Sequence, residues 1–160
     1  EQVEDQFHAR FYSRRKAYRY FIAPGPMVSP FVRRYAWHVA ELLDITAMNE
    51  AAVAFLGQHD FAAFQAVGSD VETTIRTISE VTIGTRQLPE VESTPPLISV
   101  DVIGDGFLRH MVRIMVGTLV SVGKGQRPAS ATSDLISSGD RKCAGITAPA
   151  HGLFLVSVAY

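Results

Sequence analysis

Between Gly104 and Gly123 the chain is dominated by apolar residues whose spacing follows a helix. Placed on a helix from Phe107 at about 100° per residue, Leu108, Met111, Val112, Ile114, Met115, Val116, Leu119 and Val122 cover roughly 200° of its surface, wider than the usual one-sided stripe. Such a helix is buried on most sides. Its remaining face is a narrow stripe of Arg109, His110, Arg113 and Gly117. The two arginines fall in the first two turns, where the helix dipole disfavours cations. An anion, carboxylate or phosphate, is therefore expected opposite them; a structural ion pair within the domain is the plainer alternative.

Period-two alternation predicts strands elsewhere. Phe7 to Phe11 alternates, and Ala17 to Ala23 places Tyr18, Tyr20 and Ile22 on one face, up to the break at Pro24-Gly25-Pro26. Phe31 to Val39 is a third candidate. Asp44 is placed to cap a helix running to Gly57, with Ile45, Met48, Ala52, Phe55 and Leu56 inward. His59 to Phe64 reads as an aromatic turn and Gln65 to Thr74 as a loop. Arg76 to Arg86 and Leu97 to Ile103 read as a hairpin with an exposed connection from Gln87 to Pro96. A short helix from Ser130 to Ser138 stops at Gly139. Leu153 to Tyr160 is apolar on both faces and is expected to be central in its sheet. Strands and helices cluster instead of alternating, which predicts an α+β domain. Its sheet is expected to be mixed and mainly antiparallel, with helices on one face.

The 160 residues fit one domain or a piece of a larger protein. The N-terminal Glu1, with no initiator Met, favours a piece. No apolar run is long enough to span a membrane and no signal peptide is visible, so a cytoplasmic location is expected. The single Cys143 fits a reducing compartment.

Charge is spread unevenly. Phe7 to Ala40 holds seven Lys/Arg and no acid, whereas residues 41–160 hold eight Lys/Arg against thirteen acids. The basic part interleaves Phe7, Phe11, Tyr12, Tyr18, Tyr20, Phe21, Phe31, Tyr35 and Trp37. Cations among aromatics suit phosphates and unstacked bases; a solvated sheet face over an aromatic core is the alternative.

Several chemistries find no support. The five histidines and the cysteine lack metal-ligand spacing. No Gly-x-Ser-x-Gly elbow is present. Gly117 to Gly125 mimics a phosphate loop but has one residue too many between its glycines, and Gly125 stands where Ser or Thr should follow Lys124.

Four stretches in order resemble the C-terminal half of the bacterial tRNA pseudouridine synthase A (TruA) family. They are Phe7-His8-Ala9-Arg10-Phe11 with Tyr18-Arg19-Tyr20; Leu56-Gly57 with Asp60-Phe61 and Phe64; Phe107 with His110-Met111-Val112-Arg113 and Val116-Gly117; and Ala148-Pro149-Ala150 with Gly152-Leu153 and Leu155. Together they span nearly the whole chain. The family's Gly-Arg-Thr-Asp motif, whose Asp is the nucleophile, is not among them, and none of the eight Asp here inherits that role.

The resemblance implies residues 1–160 as the C-terminal lobe of a pseudouridine synthase fold, with an N-terminal catalytic-Asp domain as its partner. It implies isomerisation of uridine to pseudouridine at positions 38 to 40 of the tRNA anticodon stem-loop, without cofactor or metal, by a homodimeric enzyme. This lobe alone is expected to be inactive. Matched residue by residue, Tyr18 takes the place of the active-site tyrosine that meets the flipped uracil. Arg113 takes that of the basic residue paired with the catalytic carboxylate, and Leu153 that of an apolar residue beneath the site. Arg10, Arg14, Arg15, Lys16, Arg109 and His110 are candidates for RNA phosphate contacts; family members commonly carry His where Arg109 stands. Two other readings remain: a stand-alone RNA-binding module, and an interaction domain whose basic stretch meets an acidic protein.

Overall fold

The computed structural model describes residue 8 and residues 12–68, 71–87 and 96–160. The alternating stretch Phe7 to Phe11, with Arg10, falls almost wholly outside these, as does most of the connection between Gln87 and Pro96.

Among the described residues six strands form one sheet: β1 (Arg15–Pro24), β2 (Trp37–Val39), β3 (Gly57–Asp60), β4 (Ile75–Arg86), β5 (Leu97–Gly104) and β6 (Leu153–Ala159). The order is β2-β1-β5-β4-β3, with β6 also beside β1. β1 and β2 run parallel; every other pairing is antiparallel. β2 and β6 share one edge of β1, β2 at Ile22 to Pro24 and β6 at Arg15 to Tyr20. Three helices complete the fold: α1 (Ile45–Ala52), α2 (Met111–Gly123) and α3 (Ala131–Ser138). α1 packs on α2 and β4, α2 on β1, and α3 on α1. The expected α+β architecture, with its mixed and mainly antiparallel sheet, is the one observed.

The core lies between helices and sheet. Tyr20 and Ile22 of β1, Val100 and Val102 of β5, and Met111, Ile114, Met115 and Leu119 of α2 are all buried there. A smaller cluster of Ala23, Val32, Ala36 and Leu97 closes a second patch. The alternation of β1 explains the division: Tyr18, Tyr20 and Ile22 belong to the larger cluster, while Phe21 and Ala23 join the smaller one. On that second face Arg19 forms a 2.6 Å ion pair with Asp101, directly across the β1–β5 ladder.

Four boundaries differ from the sequence reading, each for a physical reason. α2 begins at Met111, not Phe107, because His110 takes a left-handed conformation at φ 61° and ends the preceding turn. Asp44 caps α1 through its carboxylate, which accepts from the Ala47 N–H at 3.0 Å. The helix then tightens into a 3-10 turn at Val53–Phe55, and Gly57 already opens β3. The third candidate strand shrinks to Trp37–Val39, since residues 30–35 form turns that bury only Val32. Among the described residues β6 is not central: its one ladder there is with β1, and Leu155 is 55% and Val156 51% exposed.

Candidate functional site

The N-terminal turns of α2 meet three other parts of the chain. Gly104 ends β5, and residues 105–110 turn back into α2. Phe107 in that turn meets Tyr18 of β1 edge to face, ring centroids 5.1 Å apart. Beyond β1 and β5 lies the segment 144–152, which leaves the short 3-10 turn at Arg141–Cys143 and crosses α2 on its way to β6. We refer to it as the strap.

The strap lies against α2 more closely than side chains normally permit. A Cβ on Gly117 would run into the carbonyl oxygen of Ile146, and one on Gly145 would sit 2.5 Å from the Thr118 nitrogen. Polar pairing holds this close approach. Thr118 Oγ1 accepts the Gly145 N–H at 3.0 Å and donates to Ile114 at 2.9 Å. Arg141 donates to the Gly145 carbonyl and to Thr147 Oγ1, at 3.0 and 3.1 Å.

Arg113 is the next point of attachment. Its carbonyl accepts the Ala148 N–H at 3.1 Å, and its Nε donates to the Ala148 carbonyl at 2.6 Å. One residue on, the Pro149 carbonyl accepts the hydroxyl of Tyr20 at 2.7 Å. Gly152 leaves room for that ring, since a Cβ there would lie 2.6 Å from Tyr20 Cζ. Burial pushes the Tyr20 phenol well above the usual tyrosine range, and the nearby Arg113 cation opposes this only in part. The phenol therefore stays a neutral donor. No carboxylate lies within ion-pair distance of Arg113 among the described residues. Its Nη1 and Nη2 make no hydrogen bond there either, although α2 carries no acid in its first turn. The anion expected opposite Arg113 is thus not supplied by the described chain.

Of the residues singled out from sequence, Tyr18, Arg113 and Leu153 come together around Tyr20. Tyr18 lies two positions along β1, Leu153 is its ladder partner on β6, and Arg113 meets it through the strap. Lys16 pairs with Gly104 at the same end of the sheet. Arg14 and Arg15 sit farther out: the Arg14 N–H donates to the carbonyl of Ala159, and Arg15 pairs with that residue across the ladder. Arg15 and Lys16 are consecutive in a strand and so face opposite sides. Arg109 lies before α2 and donates to the Gly68 carbonyl at 3.3 Å. His110, also outside the helix, is pushed below the usual histidine range by partial desolvation and by the Arg113 and Arg109 cations.

Sequence reasoning missed Tyr20, Thr118 and Arg141 as parts of this arrangement. In the sequence Tyr20 stands among the aromatics of the basic stretch and in the Tyr18-Arg19-Tyr20 motif, but nothing there points to its hydroxyl reaching the strap. The Gly117-Thr118 pair inside an apolar helix was the one local sign that another backbone passes there.

Two more features bear on chemistry. No group of three or more His, Cys, Asp or Glu side chains is gathered to hold a metal ion among the described residues. No helix among them is long and apolar enough to cross a membrane.

Comparison with known proteins places these observations. Residues 51–160 match a family model described as tRNA pseudouridine synthase. The chain is 47% identical over 158 residues to tRNA pseudouridine synthase A of Syntrophotalea carbinolica, covering 99% of this chain and 60% of that protein. It is 49% identical over 148 residues to the protein of the same name from Pelobacter propionicus, covering 92% and 57%. A third, from Thermoanaerobacter sp., is 42% identical over 158 residues, covering 99% and 62%. The chain therefore spans about three-fifths of the length of these relatives.

Proposed function

The chain belongs to the tRNA pseudouridine synthase family, and we propose that it is the C-terminal lobe of an enzyme that isomerises uridine in the tRNA anticodon stem-loop, at positions 38 to 40. The observation that carries this reading is Arg113, a cation tied at Nε with both terminal nitrogens unpaired and no carboxylate near it among the described residues. An aspartate from the remaining two-fifths of the protein completes that pair.

The reaction breaks the C–N glycosidic bond, turns the base, and joins C5 of uracil to C1′ of the ribose. C5 loses a proton and N1 gains one, so the net change is an isomerisation that needs no external oxidant or reductant. The target base must leave its stack to be reached. Tyr18 meets the flipped uracil with a ring already steadied by Phe107, and its hydroxyl serves proton transfer. Arg113 holds the nucleophilic carboxylate ionised and aimed. Leu153 closes the floor against Tyr20.

The RNA backbone is held by Arg14, Arg15, Lys16 and Arg109, with Arg10 outside the described residues. His110 contributes differently: its lowered proton affinity leaves it neutral at pH 7.5, a hydrogen-bonding group and not a counter-ion. Its proton is taken up only as pH falls below the ordinary histidine value. Two copies holding one tRNA across both subunits complete the assembly, in the cytoplasm.

Mapping pseudouridine in unmodified tRNA treated with the whole protein tests the reading. Modification confined to positions 38 to 40 is expected; modification elsewhere, or none, would overturn it. In the same protein, replacing Arg14, Arg15 and Lys16 with Ser should flatten the dependence of binding on salt by about one to two phosphate contacts, since Arg15 and Lys16 face opposite sides of β1. His110→Gln should leave that slope unchanged at pH 7.5. An unaltered slope in the triple variant would make the basic segment a solvated face, the mark of a protein that does not grip RNA there.

A further inference from the structure

We propose that Tyr20 is a positioning residue for Arg113, acting through the Ala148-Pro149 carbonyls of the strap, so that Arg113 presents Nη1 and Nη2 end-on to its anion. This rests on the reading of Arg113 as partner of the nucleophilic carboxylate.

An arginine has freedom in how it meets an anion. Its guanidinium can meet a carboxylate side-on, through Nε and one Nη, or end-on through both Nη atoms. Here Nε is occupied by the Ala148 carbonyl at 2.6 Å, so the side-on mode is closed. Only the end-on mode remains, and its direction is set by where the Ala148 carbonyl stands. That carbonyl belongs to a peptide unit fixed on both sides. The Ala148 N–H is held by the main chain of Arg113 itself, and the next carbonyl, of Pro149, is held by Tyr20.

Tyr20 suits this task because it cannot move. It is fully buried, on a central strand, between β5 on one side and β6 on the other. Its hydroxyl sits at the end of a rigid ring, and Gly152 is cut back to admit that ring. The strap is thus anchored at one end by Thr118 and Arg141 on Gly145, and at the other by Tyr20 on Pro149. Arg113 lies between the anchors. Removing the Tyr20 hydroxyl leaves the ring in the core but frees the Pro149 carbonyl to rotate, and the adjoining Ala148 carbonyl with it. A guanidinium whose Nε partner wanders no longer holds a carboxylate at a fixed place, and small misplacements at a reacting centre are costly.

A plain packing role would lower stability without regard to Arg113. A positioning role acts on catalysis only while Arg113 is there. The test is a double-mutant cycle in the whole protein with tRNA as substrate: Tyr20→Phe, Arg113→Met and both together. Tyr20→Phe is expected to lower kcat about tenfold, roughly the weight of one hydrogen bond, with KM for tRNA unchanged. In the Arg113→Met background it should lower kcat no further, while the drop in melting temperature it causes should be the same in both backgrounds. Independent, multiplicative losses in kcat would overturn the positioning role. An Arg113→Met protein with unchanged kcat would instead overturn the reading of Arg113 on which it rests. If Tyr20→Phe does not fold, Thr118→Val, which releases the other anchor, carries the same cycle with the same two decisions.

Discussion

Gly117→Ala should be among the most destabilising single changes available in this chain, although it places the best helix former in the middle of a helix. Intrinsic propensity favours the alanine by about 1 kcal/mol. Against this stands the Ile146 carbonyl, which occupies the space the new methyl needs. The obstacle is backbone on both sides, so no side chain can swing away. Forcing extra volume into such a contact costs about 1–3 kcal/mol. Lifting the strap would also strain three hydrogen bonds, Gly145 to Thr118 and the two between Ala148 and Arg113, each worth about 1 kcal/mol. A net loss of about 3 kcal/mol is expected, near 10 °C in melting temperature for a domain of this size. Calorimetry of the whole protein checks it. A melting temperature that holds or rises would mean the strap does not lie on α2 as described.

Arg113→Met should separate activity from stability. Methionine keeps much of the apolar stem, so packing changes little. What stability is lost comes from the Nε bond to Ala148, about 1 kcal/mol at a part-buried site, partly offset by removing a cation from the first turn of α2. The loss in rate is larger. Leaving a nucleophilic carboxylate unpaired in a closed cleft costs about 3 kcal/mol, hence roughly a hundredfold in kcat. Steady-state kinetics beside thermal melts of the same preparations decide the matter. A variant that loses several kcal/mol of stability and little rate would make Arg113 a structural residue.

Much of this fold was legible because local pattern and tertiary role agree. The apolar surface of α2, the Asp44 cap, and the paired strands β4 and β5 each carry their own signal in residue type and spacing. β3 does not: its four residues, Gly57 to Asp60, are polar and become a strand only because β4 lies beside them. β6 misled for the opposite reason. A strand apolar on both faces reads as central, yet here, among the described residues, Leu155 and Val156 remain exposed.

The candidate site divides the same way. Tyr18, Arg113 and Leu153 are named from the resemblance by the motifs in which they stand, not by their side chains; for Leu153 a core role and a site role look alike in sequence. The Ala148 and Pro149 carbonyls, which set the geometry, are main-chain atoms that every residue possesses. Nothing in the residue types announces which carbonyl an arginine 35 positions away will choose. Tyr20 was hidden by its burial, since a tyrosine in a core strand looks like packing until its hydroxyl is found on the strap.

On the proposed function, this lobe supplies the cation of the active site and not its nucleophile. Release of tritium from tRNA labelled at C5 of uridine tests it most directly, with the 160-residue chain and the whole protein assayed side by side. Release by the whole protein is expected and none above background by the chain alone, because oriented groups without a nucleophile leave the main step uncatalysed. Turnover by the chain alone would contradict it.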